Sequence, residues 1–187
     1  MIFRPGNAGT TRAPPLSAVN ALENIIKGRI AEALVEELLR TCGNKVYRFG
    51  YESILQNLVQ NGSRFDRHSP NGEQLRSIPD FVVVNDVGKS FFVEVKFRCN
   101  PAWLVKDQLL RQLKEYWQAR LVLVTTSKPY FRVVDPQSLF EDELLFGPLD
   151  ADPDFNVRRR PLEKCERLVK RFLMNGAQTD RDLSLHP

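Results

Sequence analysis

The stretch IPDFVVVNDVGKSFFVEVKFR, residues 78–98, constrains the fold more than any other part of the chain. Two runs rich in Val and Phe flank Asp86-Val87-Gly88, and such runs around a short Gly-containing loop predict a β-hairpin. A three-residue loop with Gly88 in the left-handed conformation pairs Asn85 with Lys89. Paired residue numbers then sum to 174, so Asp80 faces Glu94 across the ladder. Strand alternation puts Lys96 on the same face as Glu94 and turns Val93, Val95 and Phe97 the other way, into a core.

Around the hairpin, helical and extended patterns alternate. Residues 18–40 carry Ile26, Ile30, Ala33, Leu34 and Leu38 at helical spacing, with Gly43 as a stop signal. KVYRFGY, 45–51, reads as a short strand. A short helix near 53–60 precedes a polar, turn-rich stretch to residue 77, read as a loop or an insertion. Beyond the hairpin, 103–119 predicts an amphipathic helix, RLVLVTT (120–126) a buried strand and YFRVVD (130–135) another. Asp135-Pro136 has the form of an N-cap with Pro at N1, opening a short helix to about 145. Pro161 opens a final helix that stops near Gly176. Residues 1–15, rich in Gly, Pro and Thr, read as loose. The order helix, three strands, helix, strand combines a hairpin with a helical crossover. It predicts one α/β domain with a mixed β-sheet flanked by helices, its core over 18–135 and a helical C-terminal extension over 136–187.

Directly opposed side chains in such a hairpin have Cβ atoms about 4.5–5.5 Å apart, and like charges there repel. Asp80 and Glu94 therefore call for something positive between them. A hard divalent cation fits, because Mg²⁺ takes one or two carboxylates along with water and phosphate oxygens. Lys96 adds a fixed charge two residues on. Two carboxylates, a metal and a lysine suit phosphodiester hydrolysis: the metal acidifies water and steadies transition-state charge, and the lysine orients the water or stabilises phosphorane charge.

Pro79-Asp80, followed after thirteen residues by Glu94-Val95-Lys96, resembles the PD-(D/E)xK nuclease superfamily, which includes restriction endonucleases, Holliday junction resolvases and recombination exonucleases. Ordinary usage of charged residues gives about one (D/E)xK triplet by chance in a chain this long. The position of the triplet on the second strand of a hairpin that begins with Pro-Asp is what carries the likeness. The resemblance implies a restriction endonuclease-like core (αβββαβ), with Asp80, Glu94 and the Val95 carbonyl binding Mg²⁺, Mn²⁺ able to substitute, and Lys96 catalytic.

Two further elements stand in the family's order. Gly28-Arg-Ile-Ala-Glu32 is similar to a GxxxE segment of the leading helix; the likeness implies that Gly28 lets the helix approach the sheet and that Glu32 joins the catalytic and metal set. The plainer reading makes Glu32, Glu36 and Glu37 solvated helix residues. Gln112-Leu-Lys-Glu-Tyr116 is similar to the QxxxY element of the recombination exonucleases, which implies DNA contacts from Gln112 and Tyr116, with Lys114 and Arg111 beside them. Against this, Tyr116 and Trp117 would simply pack the helix on the sheet. Asp66, in RFDRH, is a competing acid for the metal, but the Pro-Asp strand is the better candidate because it forms the hairpin, and a charged loop is the favoured reading of RFDRH. The resemblance spans residues 28 to about 126.

Composition narrows the partners. The net charge is +4 and the pI about 9.1, compatible with a polyanion. Basic residues gather on the crossover helix and again over 158–171, where a run could hold phosphates or be a solvated helix face. Three cysteines without CxxC spacing and only two histidines exclude a zinc ribbon and a His-based metal site, and suggest free thiols in a reducing compartment. Apolar stretches of four or five residues are too short for a membrane, and the opening segment has no apolar h-region. The expectation is a cytoplasmic, Mg²⁺-dependent deoxyribonuclease of repair, recombination or defence, with DNA as partner, no membrane, and a homodimer by analogy. The alternative is a non-catalytic nucleic-acid-binding or subunit-contact module on the same fold.

Overall fold

The computed structural model describes residues 16–50, 66, 69–100, 107–135, 137 and 146–174. The helices expected near 53–60 and over 136–145, the segment before residue 16 and the stop near Gly176 lie outside the described residues. Helix α1 spans Leu16–Thr41, strand β1 Lys45–Arg48, helix α2 Pro70–Arg76, β2 Phe81–Val84 and β3 Ser90–Arg98. Helix α3, Asp107–Arg111, continues as a π-helical turn over Gln112–Trp117. Then come β4 Arg120–Thr125, β5 Phe131–Val134, β6 Gly147–Pro148, two 3₁₀ turns, and α4 Arg159–Val169, which continues as a π turn to Met174.

The six strands form one mixed sheet in the order β1-β2-β3-β4-β5-β6. Only β3 and β4 run parallel; the other neighbours are antiparallel. The parallel pair requires a crossover, and α3 supplies it. The expected helix, three strands, helix, strand order is present, with α2 inserted between β1 and β2.

The hairpin register is the expected one: Phe81 pairs with Val93, and Val84 with Ser90. Gly88 has φ +84°, and its N–H donates to the Asn85 carbonyl at 3.0 Å. Asn85 locks the loop further, its side chain accepting the Lys89 N–H at 2.8 Å.

Helix α1 ends as its sequence requires. Gly43 at φ +100° lets the Asn44 N–H reach back to the Leu39 carbonyl at 3.1 Å, satisfying an orphan carbonyl of the last turn. Its buried stripe is Ala31, Leu34, Val35, Leu38, Leu39 and Cys42. Ile26 and Ala33, expected inward, are exposed: the Ala31–Val35–Leu39 row meets the sheet, and Ala33 and Ile26 lie off it.

Helix α2 was hidden by its turn-forming composition. Its signals are Ser69 at the N-cap, whose hydroxyl accepts the Gly72 N–H at 3.1 Å, and Pro70 in the first turn. The strand expected over 45–51 stops at Arg48, because Phe49 and Gly50 turn their N–H groups onto the Asp80 carbonyl at 2.9 and 3.3 Å.

The larger core lies on one sheet face, where α1 and α4 cover Phe81, Val83, Val93, Val95, Phe97, Val122 and Val124. Phe131, Leu149 and Phe155 complete it, so the segment expected as an extension contributes to the same core and, through β6, to the same sheet. Burying each such side chain stabilises the fold by about 1.5–3 kcal/mol. On the opposite face α3 packs Leu109, Leu113 and Trp117 against Phe92, Leu121 and Val134.

Candidate active site

Strand β2 stops one residue short of the acid. Asp80 occupies the bend before Phe81, where the register would set it opposite Glu94. Its carboxylate Oδ2 accepts the Val95 N–H at 2.8 Å. A side chain thus takes an amide proton that a continuing ladder would have given to backbone, and the hairpin opens at this point. The Asp80 carbonyl, held by Phe49 and Gly50, fixes the residue from behind.

Behind it stands an aromatic cluster. Phe49, Phe92 and Trp117 pack with ring centroids 5.6–5.8 Å apart, and the Trp117 indole N–H donates to Ser77 Oγ at 3.1 Å. This cluster ties the crossover helix to the segment that leads into Asp80.

Glu94 is 8% exposed, with Lys96 Nζ donating to its Oε1. Strand alternation and the pairing of Glu94 with Leu121 direct both side chains to the α3 side of the sheet. Burial pushes the Asp80 carboxyl up to about 8, and Glu94 and Glu32 add to the rise against Lys96 and the Val95 N–H. Burial raises Glu94 as well, opposed by Lys96 and reinforced by Glu32. For Lys96 burial works against the charge, but Glu94 and Asp80 overcome it and hold the ammonium above its usual range. Two carboxyl groups and a lysine are thus concentrated at the mouth of a split hairpin, the carboxyls withdrawn from bulk water.

A cleft of about 390 Å³ opens at the C-terminal end of β3. Val95, Lys96, Phe97, Arg98 and Cys99 line one side, and Asn24, Gly28 and Glu32 of α1 the other. Glu32 and Lys96 therefore share it. Gly28 corrects the expectation of close helix–sheet packing: a Cβ there would meet nothing within 4 Å. Its bare backbone borders open space.

Glu32 is held by Arg29 at 3.2 Å. Among the described residues no three His, Cys, Asp or Glu side chains converge to hold a metal between them. The donor set suited to a hard cation is the Asp80–Glu94 pair, all oxygen and kept close by the ladder, with Glu32 near enough to raise both. The Val95 N–H is committed to Asp80.

The crossover-helix residues lie further off. Gln112 and Tyr116 are half-buried on the π turn, and no hydrogen bond or ion pair among the described residues joins them to Asp80, Glu94 or Lys96. Arg111 reaches Glu73 of α2 at 3.8 Å, and the Lys114 carbonyl accepts from Gln137 at 2.7 Å. Of Tyr116 and Trp117, it is Trp117 that packs against the sheet, beside Leu109 and Leu113. Asp66 is exposed; its carbonyl accepts the Ser69 hydroxyl at 2.8 Å at the start of α2.

Two cleft residues were missed. Arg98 continues the period-two row of Glu94 and Lys96, a signal present in the sequence, and burial lowers its guanidinium. Asn24 sits one helical turn before Gly28, but the likeness began at Gly28.

No helix among the described residues is long and apolar enough to cross a membrane, and the three cysteines are free thiols. Comparison with known protein families and with characterised proteins finds no family and no relative that matches the chain.

Proposed function

We propose that this protein is a Mg²⁺-dependent nuclease that hydrolyses phosphodiester bonds in DNA, on a restriction endonuclease-like core. One observation carries the reading: the Asp80 and Glu94 carboxyls are brought together away from bulk water, one at the bend before β2 and one on β3, with Lys96 bound to Glu94. A fold keeps such a pair at a cost in stability. Asp80 and Glu94 would hold the metal, and Glu32 lines the neighbouring cleft together with Val95 and Lys96. When bound, Mg²⁺ supplies Lewis acidity toward a phosphate oxygen and lowers the pKa of water. The chain's own groups do the rest. The Val95 N–H and the Phe49 and Gly50 amides orient Asp80. Lys96 shields Glu94 and presents an ammonium, about a third exposed, that would stabilise charge on the transferred phosphoryl group.

The alternative, a non-catalytic nucleic-acid-binding module, draws on the absence of a third converging acid among the described residues. Turnover separates the two. Linear, nicked, supercoiled and branched DNA are incubated with Mg²⁺, with Mn²⁺ and with EDTA, beside Asp80→Ala and Lys96→Ala. Metal-dependent cleavage lost in both variants supports the nuclease. Binding without cleavage on any substrate favours the module.

A further inference from the structure

Helix α4 presents two opposed faces. Cys165, Val169 and Leu173 are buried against α1 and the sheet, with Leu162 half-buried beside them. Arg160, Lys164, Arg167 and Arg171 stand on the other side, all exposed. At 3.6 residues per turn these four fall within an arc of about 60° and form a row about 16 Å long. Neither Glu163 nor Glu166 lies on that arc. Lys164 has one carboxylate neighbour, Glu37 at 4.0 Å. Among the described residues Arg160, Arg167 and Arg171 have none within ion-pair distance.

Along the helix axis the row ends level with the α1 residues that line the cleft. Helix α4 runs antiparallel to α1: Arg158 donates to the Thr41 carbonyl, and the Cys165 thiol lies 3.9 Å from the Leu34 carbonyl. Both pairs sum to 199, and both helices climb about 1.5 Å per residue, so Arg167 comes level with Glu32 and Arg171 with Gly28. An independent chain of contacts reaches the same end of the sheet. Lys170 sits 5.8 Å over the Tyr130 ring, the Tyr130 carbonyl accepts from the Thr125 N–H, and the neighbouring Thr126 hydroxyl donates to the Cys99 carbonyl in the cleft wall.

We infer that the outer face of α4 is a rail for the phosphate backbone of double-stranded DNA, leading the duplex to the Glu32–Lys96 cleft. This rests on the nuclease reading for its destination, but not for its chemistry. A straight row of cationic groups, with Arg160, Arg167 and Arg171 free of carboxylate neighbours among the described residues, suits a stiff polyanion, and the aromatic ring beside it, Phe172, is covered by Arg171 at 5.2 Å. Phosphate contacts of this type fix register and orientation without reading sequence.

The test is anisotropy of a labelled 30-base-pair duplex in EDTA, with KCl varied. The full chain is compared with Arg167→Ala/Arg171→Ala and with a pair of equal charge loss off the row, Lys45→Ala/Arg159→Ala. Losing two phosphate contacts lowers the slope of log affinity against log salt by about 1.8. The row pair is expected to show that loss and weaken binding at least tenfold at low salt, with its melting temperature kept and the control pair near wild type. Equal effects in both pairs, or none in either, overturn the proposal. So does a loss seen only for single strands or for anionic lipid vesicles. Because EDTA removes the metal, failure here is distinct from failure of the nuclease reading, which Mg²⁺-dependent cleavage by the unaltered chain decides separately.

Discussion

The carboxylate of Asp80 accepts the amide proton of Val95, the residue between the acid and the base of Glu94-Val95-Lys96, at 2.8 Å. One hydrogen bond thus couples the two halves of the site and marks where the β2–β3 ladder parts. Asp80→Asn keeps an acceptor for that amide but removes the charge. Without metal and above about pH 8 the variant is expected to melt higher than the parent, since a buried, ionised carboxylate beside Glu94 is replaced by a neutral amide. With Mg²⁺, cleavage should fall at least about a hundredfold, the rate equivalent of some 3 kcal/mol of lost charge stabilisation. A variant that cleaves normally would remove Asp80 from the site.

The same residue sets a pH dependence. Its folded pKa of about 8 lies above the unfolded value of 3.8. The stability it contributes is full below the unfolded value and is lost as pH rises through the folded one. The metal-free protein should therefore lose stability between about pH 4 and 8 on account of this group. Mg²⁺ engages the ionised form, so the metal-induced rise in melting temperature is expected to be larger at pH 8.5 than at pH 6. Melting curves with and without Mg²⁺ at the two pH values check it; a shift independent of pH would contradict the assignment of Asp80 as a ligand.

Lys96→Met keeps the length of the side chain and leaves Glu94 buried without its partner. Turnover should fall about 10²–10³-fold, the usual effect of removing one charge-stabilising donor. The metal-free fold should weaken too, and Mg²⁺ should restore part of that loss but not the activity. Thermal melts and single-turnover rates separate the two effects.

Arg120 is a structural hub outside the cleft lining. Its guanidinium pairs with Asp152 and Asp154 and lies 4.8 Å over Phe91 and 5.5 Å over Phe155, with its side chain 13% exposed. Arg120→Ala leaves Asp152 without its guanidinium and Asp154 with Lys89 alone, beside an apolar wall, and should cost about 3 kcal/mol, measured by urea unfolding. Salt should shield little of this loss, in contrast to the exposed Arg159–Glu163 pair, whose removal is expected to be nearly neutral.

Cys99 is exposed in the cleft wall, whereas Cys42 and Cys165 are buried, and burial pushes the Cys165 thiol up to about 11. A thiol reagent at pH 8 should modify one cysteine fast and the other two only on unfolding. A bulky maleimide on Cys99 should then block cleavage, and Cys99→Ser should be active and insensitive to it. Peptide mapping of the fast adduct decides whether Cys99 carries it.

Much of this site was legible because hairpin geometry is local. Gly88 fixed the loop, the loop fixed the register, and the register brought Asp80 and Glu94 together without reference to the rest of the chain. Helix ends written in side-chain chemistry, as at Gly43, were equally readable. The parts that escaped depend on tertiary packing. Ala33 and Ile26 fit a helical stripe as well as Ala31 and Val35 do, and only the position of the sheet chooses between them. Gly28 illustrates the same limit: a small residue is compatible with close packing and with a cleft, and the structure chose the cleft. The turn-like residues Asn71 and Gly72 concealed α2, whose cap was nonetheless present at Ser69.

The strand order has a kinetic consequence. Each strand of the sheet is hydrogen-bonded to its nearest neighbour in sequence, and the β2–β3 and β4–β5 pairings close short loops, the kind of local contact that forms early. The two acids lie on adjoining strands of a single tight hairpin, and they come together as soon as residue 98 is made. Helix α4, antiparallel to the distant α1, must wait for nearly the whole chain. The repulsive pair is therefore present in the nascent protein before its covering is complete, and a divalent cation at that stage would favour the folding nucleus as well as the finished fold. Refolding rates of the parent should rise with Mg²⁺, and those of Asp80→Asn should not.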